Sequence, residues 1–229
     1  MVQEGRLDLT RPTPSARLFC RAEGYRHRSR HHGVRILTEL LSEAGWATHT
    51  TEDPRELVSQ AAGRSTVFIF LNTSGSVLTP DTRTALQEAL ASGAGFVGIH
   101  SAADTEHHWT YYGQLVGTRF ASHPMLQKAR VHRTDVQHPS TAHLPNIFDH
   151  REEWYNFTRQ PSPGMRVLLT VDESTYRGGR MGSVHPVCWC SRPENGRMWY
   201  TALGHRRSTF SQEWFQRHCM EGIRWAVGE

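Results

Sequence analysis

Short apolar runs and amphipathic segments alternate along the first half of the chain. STVFIFLN (65–72) and GFVGIH (95–100) are continuous apolar runs, as expected of strands covered on both faces. HGVRILTELLSEAGW (32–46) repeats apolar residues at helical spacing. This alternation predicts a parallel sheet with helices on both faces. The predicted strands are 17–22, 47–52, 65–72 and 95–100, and the predicted helices are 32–46, 53–61, 79–93 and 111–120.

The second half of the chain has a different pattern. Strand-like runs follow one another at 129–135, 167–173, 186–190 and 197–204, and an amphipathic helix is predicted at 211–228. We expect these strands to extend the sheet, some of them in antiparallel orientation. We find no internal repeat or linker. The sequence therefore predicts a flexible leader at 1–16 and a single α/β domain at 17–229.

Composition is typical of a globular protein. Of 229 residues, 37% are hydrophobic and 21% are charged, which suits one folded domain and argues against disorder. The formal net charge is +4, and the densest basic run is RHRSRHH (26–32). That run has three interpretations: a solvated loop and helix start, a contact with phosphate or an acidic substrate, or a nucleic-acid contact. Because no nucleic-acid-binding motif accompanies it, we expect no nucleic-acid partner.

Cysteine usage and hydropathy indicate the compartment. The four cysteines form no CxxC pair, so nothing favours a disulfide framework or an oxidising environment. No apolar run approaches the roughly 20 residues that span a bilayer, and the N-terminus has no signal-peptide pattern. We therefore expect a cytoplasmic protein without a membrane partner.

Candidate chemistry collects at the predicted strand ends. Ligands of open parallel sheets bind at the carboxyl ends of the strands. Three of the four strand ends considered carry one of the 15 histidines at or just beyond the strand. The residues at these ends are His27, Asn72, Thr73, His100, Ser101, Asp104 and His205.

The segment GFVGIHSAAD is predicted to contain a strand, a tight turn and a helix start, with small residues around His100. This is the layout of a nucleophile elbow, in which a strained turn lifts one side chain above the sheet. The usual residue there is Ser or Cys, but His tolerates a positive φ better than most residues do. The alternative is a histidine that simply packs at the end of a buried strand.

Three histidines precede a proline, which forces them into an extended conformation. They are His123, His138 and His185. A fixed ring direction would help a ligand or a catalytic base, although an ordinary loop explains the pattern equally well. We favour His123 and His185 over His138 as site residues.

Aromatic residues accompany an acidic pair in REEWYNF (151–157). A carboxylate beside Trp and Tyr could be a general base with a raised pKa, and aromatic rings are platforms for sugars. Trp109, Tyr111 and Tyr112 form a second aromatic group just behind the elbow. The alternative for 151–157 is a surface turn with aromatic anchors.

These segments together resemble the ThuA-like, or trehalose-utilisation, family over residues 17–228. The pieces that carry the resemblance are GYRHRS (24–29), VFIFLNTSG (67–75), GAGFVGIHSAADTEHHWTYYGQLVG (93–117), SHPMLQKA (122–129), HPSTAHLP (138–145), EEWYNF (152–157), VLLTVDESTY (167–176), MGSVHPVCWC (181–190) and RMWYTALGH (197–205). The resemblance implies a class I glutamine amidotransferase-like, flavodoxin-like fold. His100 then occupies the place of the amidotransferase cysteine, so glutamine hydrolysis through a thioester is not available there.

The family is linked to catabolism of trehalose and related disaccharides, often alongside a dehydrogenase that makes 3-keto sugars. Carried over by motif, the residues expected around the pocket are His27, His100, Asp104, His123, Glu153, His185 and His205. One departure from the family is the basic continuation RSRHH. It leaves open a substrate that bears a phosphate or a carboxylate.

The first functional hypothesis is an enzyme acting on a disaccharide or a 3-keto-glycoside, as a lyase, isomerase or hydrolase. His100 or Glu153 would be the base, and His205 the acid or an orienting group. The full assignment is His100, Glu153, His205 and Asp104 as catalytic residues, and His27, Trp109, Tyr112, His123, Tyr155 and His185 as substrate contacts, with Trp109 and Tyr112 as the sugar platform.

Two other hypotheses stay open. His27, His100, His123 and His205, with Asp104 or Glu153, could bind Zn²⁺ or a similar divalent ion. Alternatively, the chain is a catalytically silent binding module, or a family member recruited to another biosynthetic pathway. In each case we expect a small sugar-type ligand, and a homodimer is one possible assembly.

Overall fold

The computed structural model describes residues 13–59 and 63–229. In chain order its elements are β1 (Ser15–Phe19), α1 (Arg30–Glu43), β2 (Ala47–Thr51), α2 (Pro54–Val58), β3 (Thr66–Leu71), α3 (Pro80–Ala91), β4 (Gly95–Ile99), a 3₁₀ turn (His100–Asp104), α4 (Thr110–Val116), β5 (Phe120–Ser122), β6 (Gln127–Arg133), α5 (Pro139–Ala142), β7 (Ile147–Glu152), β8 (Asn156–Phe157), β9 (Arg166–Val171), a second 3₁₀ turn (Glu173–Thr175), β10 (Pro186–Ser191), β11 (Arg197–Thr201), α6 (Arg207–Phe210) and α7 (Glu213–Val227).

Nine strands of the described residues form one mixed sheet in the order β2-β1-β3-β4-β11-β10-β9-β6-β7. The five strands from β2 to β11 are parallel, and β10, β9, β6 and β7 continue the sheet with antiparallel pairing. The parallel half has the flavodoxin-like strand order, so its carboxyl ends share one edge. The predicted late antiparallel strands are therefore confirmed.

Helices cover both faces of the parallel half, as predicted. Successive positions of β4 point to opposite faces. A Cβ added at Gly95 would meet Ala226 of α7, whereas one at Gly98 would meet Tyr200 on the other face. Tyr112 of α4 packs on that second face, where its ring lies 5.7 Å from that of Phe96. α7 and α4 thus enclose the strand that leads into the elbow.

The predicted element bounds need several corrections. β1 begins at Ser15, inside the predicted leader, because its backbone pairs with β2 and β3 from that residue onward. Residues 1–12 of the leader lie outside the described residues. The helix predicted at 53–61 ends at Val58, and positions 60 and 61 are likewise outside the description. The helix predicted at 111–120 runs from Thr110 to Val116, since Gly117 ends it with a left-handed backbone.

Several short elements were not predicted: β5, β7, β8, α5 and α6. β7 is the consequential one, because the acidic pair sits at its end. Its sequence, IFDHRE, is mostly polar, and the positions that alternate to the buried side include His150 and Glu152, which carry no apolar signal. A strand at the sheet edge needs little apolar patterning, since one side of it meets solvent.

The state of the thiols and the hydropathy of the helices match the sequence-based expectations. Cys20, Cys188, Cys190 and Cys219 are buried free thiols. Cys20 follows β1 rather than lying within it. None of the helices in the described part of the chain is both long and apolar enough to cross a bilayer.

Candidate functional site

Three imidazoles and one carboxylate converge at the carboxyl edge of the parallel strands. One ligand atom from each of His27, His100, Glu153 and His205 lies within 4.8 Å of the others. We call these four residues the His/Glu cluster. The histidines follow β1, β4 and β11, and the glutamate follows β7. The cluster thus combines three parallel strand ends with the far antiparallel edge of the sheet.

His100 stands at the elbow with a positive φ of 52°. Its Nδ1–H donates to the carbonyl oxygen of Ala202 at 2.7 Å, which leaves the Nε2 lone pair facing the cluster. The ring of Tyr155 packs against the His100 ring with centroids 4.3 Å apart. The elbow therefore presents one fixed nitrogen, buried and aimed at its neighbours.

His27 faces His100 across the cluster. The two Nε2 atoms are 3.1 Å apart, and Nδ1 of His27 lies 3.2 Å from the Ser101 hydroxyl. Burial lowers the pKa of His27 to about 4, although Glu153 opposes the shift. His27 is therefore neutral at neutral pH. Because a hydroxyl both donates and accepts, Ser101 can support either tautomer of this ring.

Glu153 connects the histidines. Its Oε2 lies 3.4 Å from His100 Nε2, 3.8 Å from His27 Nε2 and 3.1 Å from His205 Nδ1. Burial would raise the pKa of this carboxyl, but the hydrogen bonds and charges of the surrounding histidines outweigh it and hold the pKa well below its usual range. Burial lowers the pKa of His205, yet the adjacent carboxylate raises it overall. Glu153 is thus an ionised carboxylate.

A second carboxylate supports the cluster from below. Glu152 is fully buried, and its two oxygens accept from the backbone N–H groups of Gly204 and Glu153 at 2.9 and 3.0 Å. The Gly204 carbonyl in turn accepts from the Ser29 hydroxyl at 3.0 Å. Asn72 donates to that hydroxyl at 2.9 Å. This network ties the loops that carry His27, Glu153 and His205 to one another.

The mouth of the site contains two further side chains. His123 is 40% exposed, and its Nδ1 lies 2.9 Å from the Pro124 carbonyl and 3.3 Å from Glu153 Oε1. Its Nδ1–H is therefore taken by oxygens, so Nε2 carries the lone pair. Tyr25 is 64% exposed and packs its ring edge-on to His27, with centroids 4.8 Å apart.

Two predicted substrate contacts lie behind the cluster instead. His185 is fully buried; its Nε2 donates to the Tyr155 carbonyl at 2.8 Å, and its Nδ1 lies 2.8 Å from the Tyr176 hydroxyl. Both ring nitrogens are thus engaged by the protein. Tyr155 is also buried and packs between His100 and Phe120. Both side chains are buried, and the Tyr155 ring packs directly against His100 of the cluster.

The predicted aromatic platform is wrong for Tyr112. Its ring is 1% exposed, and its hydroxyl donates to the Ala102 carbonyl at 2.8 Å, so it belongs to the core. The ring contacts of Trp109 are with Tyr111 and Tyr112, and the Arg83 guanidinium lies over it, none of which is part of the cluster. The helical register of α4 turns the Tyr112 ring toward the sheet, where it packs against Phe70 and Phe96.

Asp104, predicted to be catalytic, lies outside the cluster and pairs with His107 at 2.7 Å. His138 is not part of the cluster either; it caps the start of α5, where its side chain accepts from the Ser140 backbone N–H. Sequence reasoning missed the roles of Glu152 and Tyr25. The signals were their positions: Glu152 immediately precedes Glu153, and Tyr25 is two residues before His27.

The architecture is a glutamine amidotransferase-like fold. A glutamine amidotransferase from Thermotoga maritima has a similar fold, with a TM-score of 0.57 and 9% identity over 96% of this chain and 100% of that chain. The fold class predicted from the sequence is therefore confirmed.

The family follows from the sequence itself. The ThuA family model, described as trehalose utilisation, matches residues 16–226, and the chain belongs to this family. A ThuA-like protein from Bacteroides uniformis has a TM-score of 0.78 and 24% identity, covering 95% of this chain and 93% of that chain. One from Parabacteroides merdae has a TM-score of 0.75 and 18% identity, covering 95% and 91%. These likenesses concern the fold alone. No curated protein matches the sequence.

Proposed function

We propose that this protein is a sugar-processing enzyme that acts on a disaccharide or a 3-keto-glycoside by acid–base chemistry at the His/Glu cluster. The observation that carries the proposal is the convergence of three imidazoles and one carboxylate at the elbow of a ThuA family member. A pure binding scaffold needs no such set of buried ionisable groups. Catalysis through a thioester is not available at this elbow, because the residue there is His100 and not a cysteine.

The cluster fits a divalent metal ion. Zinc bonds to nitrogen and oxygen are about 2.0–2.1 Å long, so ligand atoms of a tetrahedral site are roughly 3.3–3.4 Å apart. In the cluster, the Nε2 atoms of His27 and His100 are 3.1 Å apart, and Glu153 Oε2 lies 3.4 Å from the Nε2 of His100 and 3.8 Å from that of His27. His205 Nδ1 is buried without a hydrogen bond of good geometry, which a bound cation would satisfy. Of the predicted ligands, the cluster contains His27, His100, His205 and Glu153, whereas His123 and Asp104 are not part of it.

Hydrogen bonds to the other nitrogen of two cluster histidines support this assignment. The Ala202 carbonyl fixes the His100 ring, and Ser101 fixes the His27 ring, as is usual for metal-bound imidazoles. A bound divalent ion would polarise a keto or hydroxyl oxygen of the substrate. The four cluster residues would be its ligands.

Proton transfer is assigned to His123. A keto group acidifies the neighbouring C–H bond, and a base that removes this proton gives an enediolate. Reprotonation then yields an isomer, whereas departure of the glycosidic oxygen yields an elimination product. The His123 side chain is 40% exposed, and its Nδ1 faces Glu153 Oε1 and the Pro124 carbonyl, which leaves Nε2 free to face a substrate. A positioned base of this kind supplies about 10²–10⁴-fold.

Tyr25 is the better candidate for the sugar platform. Its ring is exposed and contacts a cluster histidine, whereas Tyr112 is buried. An aromatic face beside the mouth can cover the apolar face of a pyranose ring while the hydroxyl groups stay hydrated.

The test is a turnover screen by NMR. Tag-free protein is incubated with trehalose, 3-keto-trehalose and other 3-keto-glycosides, with and without added Zn²⁺ or Mn²⁺. We expect one of the glycosides to be consumed, and Glu153→Gln to abolish this together with metal binding measured by calorimetry. His49→Gln is the control, because His49 is exposed on β2 away from the cluster. Sugar binding without any turnover would support the silent module instead.

A further inference from the structure

Two segments that carry cluster histidines are basic and free of carboxylates. Residues 24–32 contain three arginines and residues 203–212 contain two, and neither segment contains Asp or Glu. Arg30 is accounted for by the protein, because it donates to the Cys20 carbonyl at 2.6 Å and pairs with Glu52. The other four are Arg26, Arg28, Arg206 and Arg207, which we call the arginine rim.

The structure packs these two segments against each other. The Ser29 hydroxyl donates to the Gly204 carbonyl at 3.0 Å, and His32 Nε2 lies 3.0 Å from the Ser211 hydroxyl. The rings of His27 and His205 are 5.2 Å apart. The arginine rim therefore comes from residues within two positions of His27 or His205, on two segments held in contact.

The rim has no internal counter-charge. Within the described residues, none of its four guanidinium groups lies within 4.0 Å of a carboxylate, although Arg21, Arg35, Arg83, Arg166 and Arg224 each have such a partner. Arg26, Arg28 and Arg207 are exposed, and Arg206 is partly exposed. Arg26 also donates from Nε to the Ala22 carbonyl at 3.3 Å, but none of the four has a carboxylate partner in the described part of the chain. Guanidinium groups without a counter-charge attract anions and pair well with phosphate and carboxylate.

The anion would not sit in the cluster itself. Glu153 and the buried Glu152 place two carboxylates there, which repel a further negative charge but favour a cation. The cluster therefore favours a cationic or neutral group, whereas the arginine rim favours a negative one.

We infer that the ligand of this site is a sugar that carries an anionic group, a phosphate or a carboxylate, which the arginine rim binds while the reacting carbon lies at the cluster. This inference rests on the proposed function and narrows its substrate class. Phosphate and carboxylate share the recognition chemistry, so the two are separated by experiment.

Calorimetry at low ionic strength tests the inference with three probes: trehalose, trehalose 6-phosphate and a trehalose analogue with a carboxylate in place of one hydroxymethyl group. We expect one or both anionic probes to bind at least tenfold more tightly than trehalose, with the difference shrinking as NaCl is raised. The double variant Arg28→Gln/Arg206→Gln should remove the difference. The control Arg35→Gln/Arg217→Gln changes the net charge equally on α1 and α7 and should preserve it.

Equal binding of all three probes, or a preference unchanged in Arg28→Gln/Arg206→Gln, would overturn the inference. The proposed function would survive that result if Glu153→Gln still abolished turnover of a neutral glycoside. Conversely, the proposed function alone would be contradicted if the unmodified protein preferred the anionic probes but turned over none of them, and if Glu153→Gln kept that preference.

Discussion

The side chain at the elbow decides which chemistry this site supports. A cysteine at position 100 would be a nucleophile, but His100 has one nitrogen committed to the Ala202 carbonyl and the other aimed at His27 and Glu153. In the proposed function, His100 holds the cluster together and does not attack a substrate. The positive φ of the elbow is retained, and histidine can adopt it at modest cost.

A buried carboxylate is the least replaceable residue beneath the cluster. Glu152→Gln keeps the shape of the side chain but turns one oxygen into a donor, which then faces the N–H of Gly204 or of Glu153. We expect the free energy of unfolding to fall by about 1–3 kcal/mol, the cost of one lost buried hydrogen bond. Urea titration measures this change.

The matched control for that substitution is Glu43→Gln, which changes the same charge at an exposed position on α1. It should change the free energy of unfolding by less than about 0.5 kcal/mol. If Glu152→Gln were as stable as Glu43→Gln, Glu152 would not hold the Gly204 loop in place.

At the scale of elements, the turn from β4 into the 3₁₀ segment depends on a missing side chain. A Cβ at Gly98 would lie 2.9 Å from Tyr200 Cδ2 and 3.2 Å from the Ala102 Cβ. Gly98→Ala should therefore push the elbow out of register, lowering the free energy of unfolding by about 1–3 kcal/mol and reducing turnover as well. Thermal unfolding and the turnover assay check both effects.

Ser92→Thr adds one carbon at an exposed position and is the control for Gly98→Ala. It should leave both stability and turnover unchanged. An active, fully stable Gly98→Ala protein would show that the elbow tolerates a side chain at this position and that its close packing is not required.

Sequence periodicity was sufficient for the elements that are buried on both faces. β3 and β4 are continuous apolar strands, and their ends carry Asn72 and His100 at the edge that the parallel-sheet rule names. It was insufficient for β7, whose polar edge sequence has little signal. Periodicity also could not show that α4 turns Tyr112 into the core. The direction of this side chain is set by its packing against Phe96 and not by residue type.

At the scale of the molecule, the site depends on a long-range arrangement that local patterns do not reveal. His27, His100 and His205 were predictable, since each follows a parallel strand. Glu153 follows β7, an edge strand that the sheet order separates from β4 by four other strands, yet its carboxylate lies in the cluster. Family resemblance selected Glu153 over Glu152, and that choice came from motif matching and not from geometry.

The molecule also buries neutral histidines away from the site. Burial lowers the pKa of His138 to about 4 and that of His218 to about 3, whereas both titrate near 6.5 when unfolded. As the pH falls below about 6.5, the unfolded chain takes up protons that the folded protein does not, so stability is lost. Each histidine contributes about 1.4 kcal/mol per pH unit in that range.

Urea unfolding between pH 7 and 5 measures this effect. In His218→Gln, the slope of the free energy of unfolding against pH should fall by about 1.4 kcal/mol per pH unit, which corresponds to one proton. This holds whatever the stability of the variant at pH 7. An unchanged pH dependence in His218→Gln would mean that His218 is protonated in the folded state.

The central claim is that the His/Glu cluster organises acid–base chemistry with His123 as the base, and exchange of the acidic C–H of a 3-keto-glycoside in D₂O tests it most directly. NMR follows the loss of the proton next to the keto group, while calorimetry follows metal binding in the same samples. We predict exchange by the unmodified protein, a loss of about 100-fold or more in His123→Asn with metal binding retained, and loss of both in Glu153→Gln. Exchange at the normal rate in both variants, or no exchange with any protein, would contradict the account.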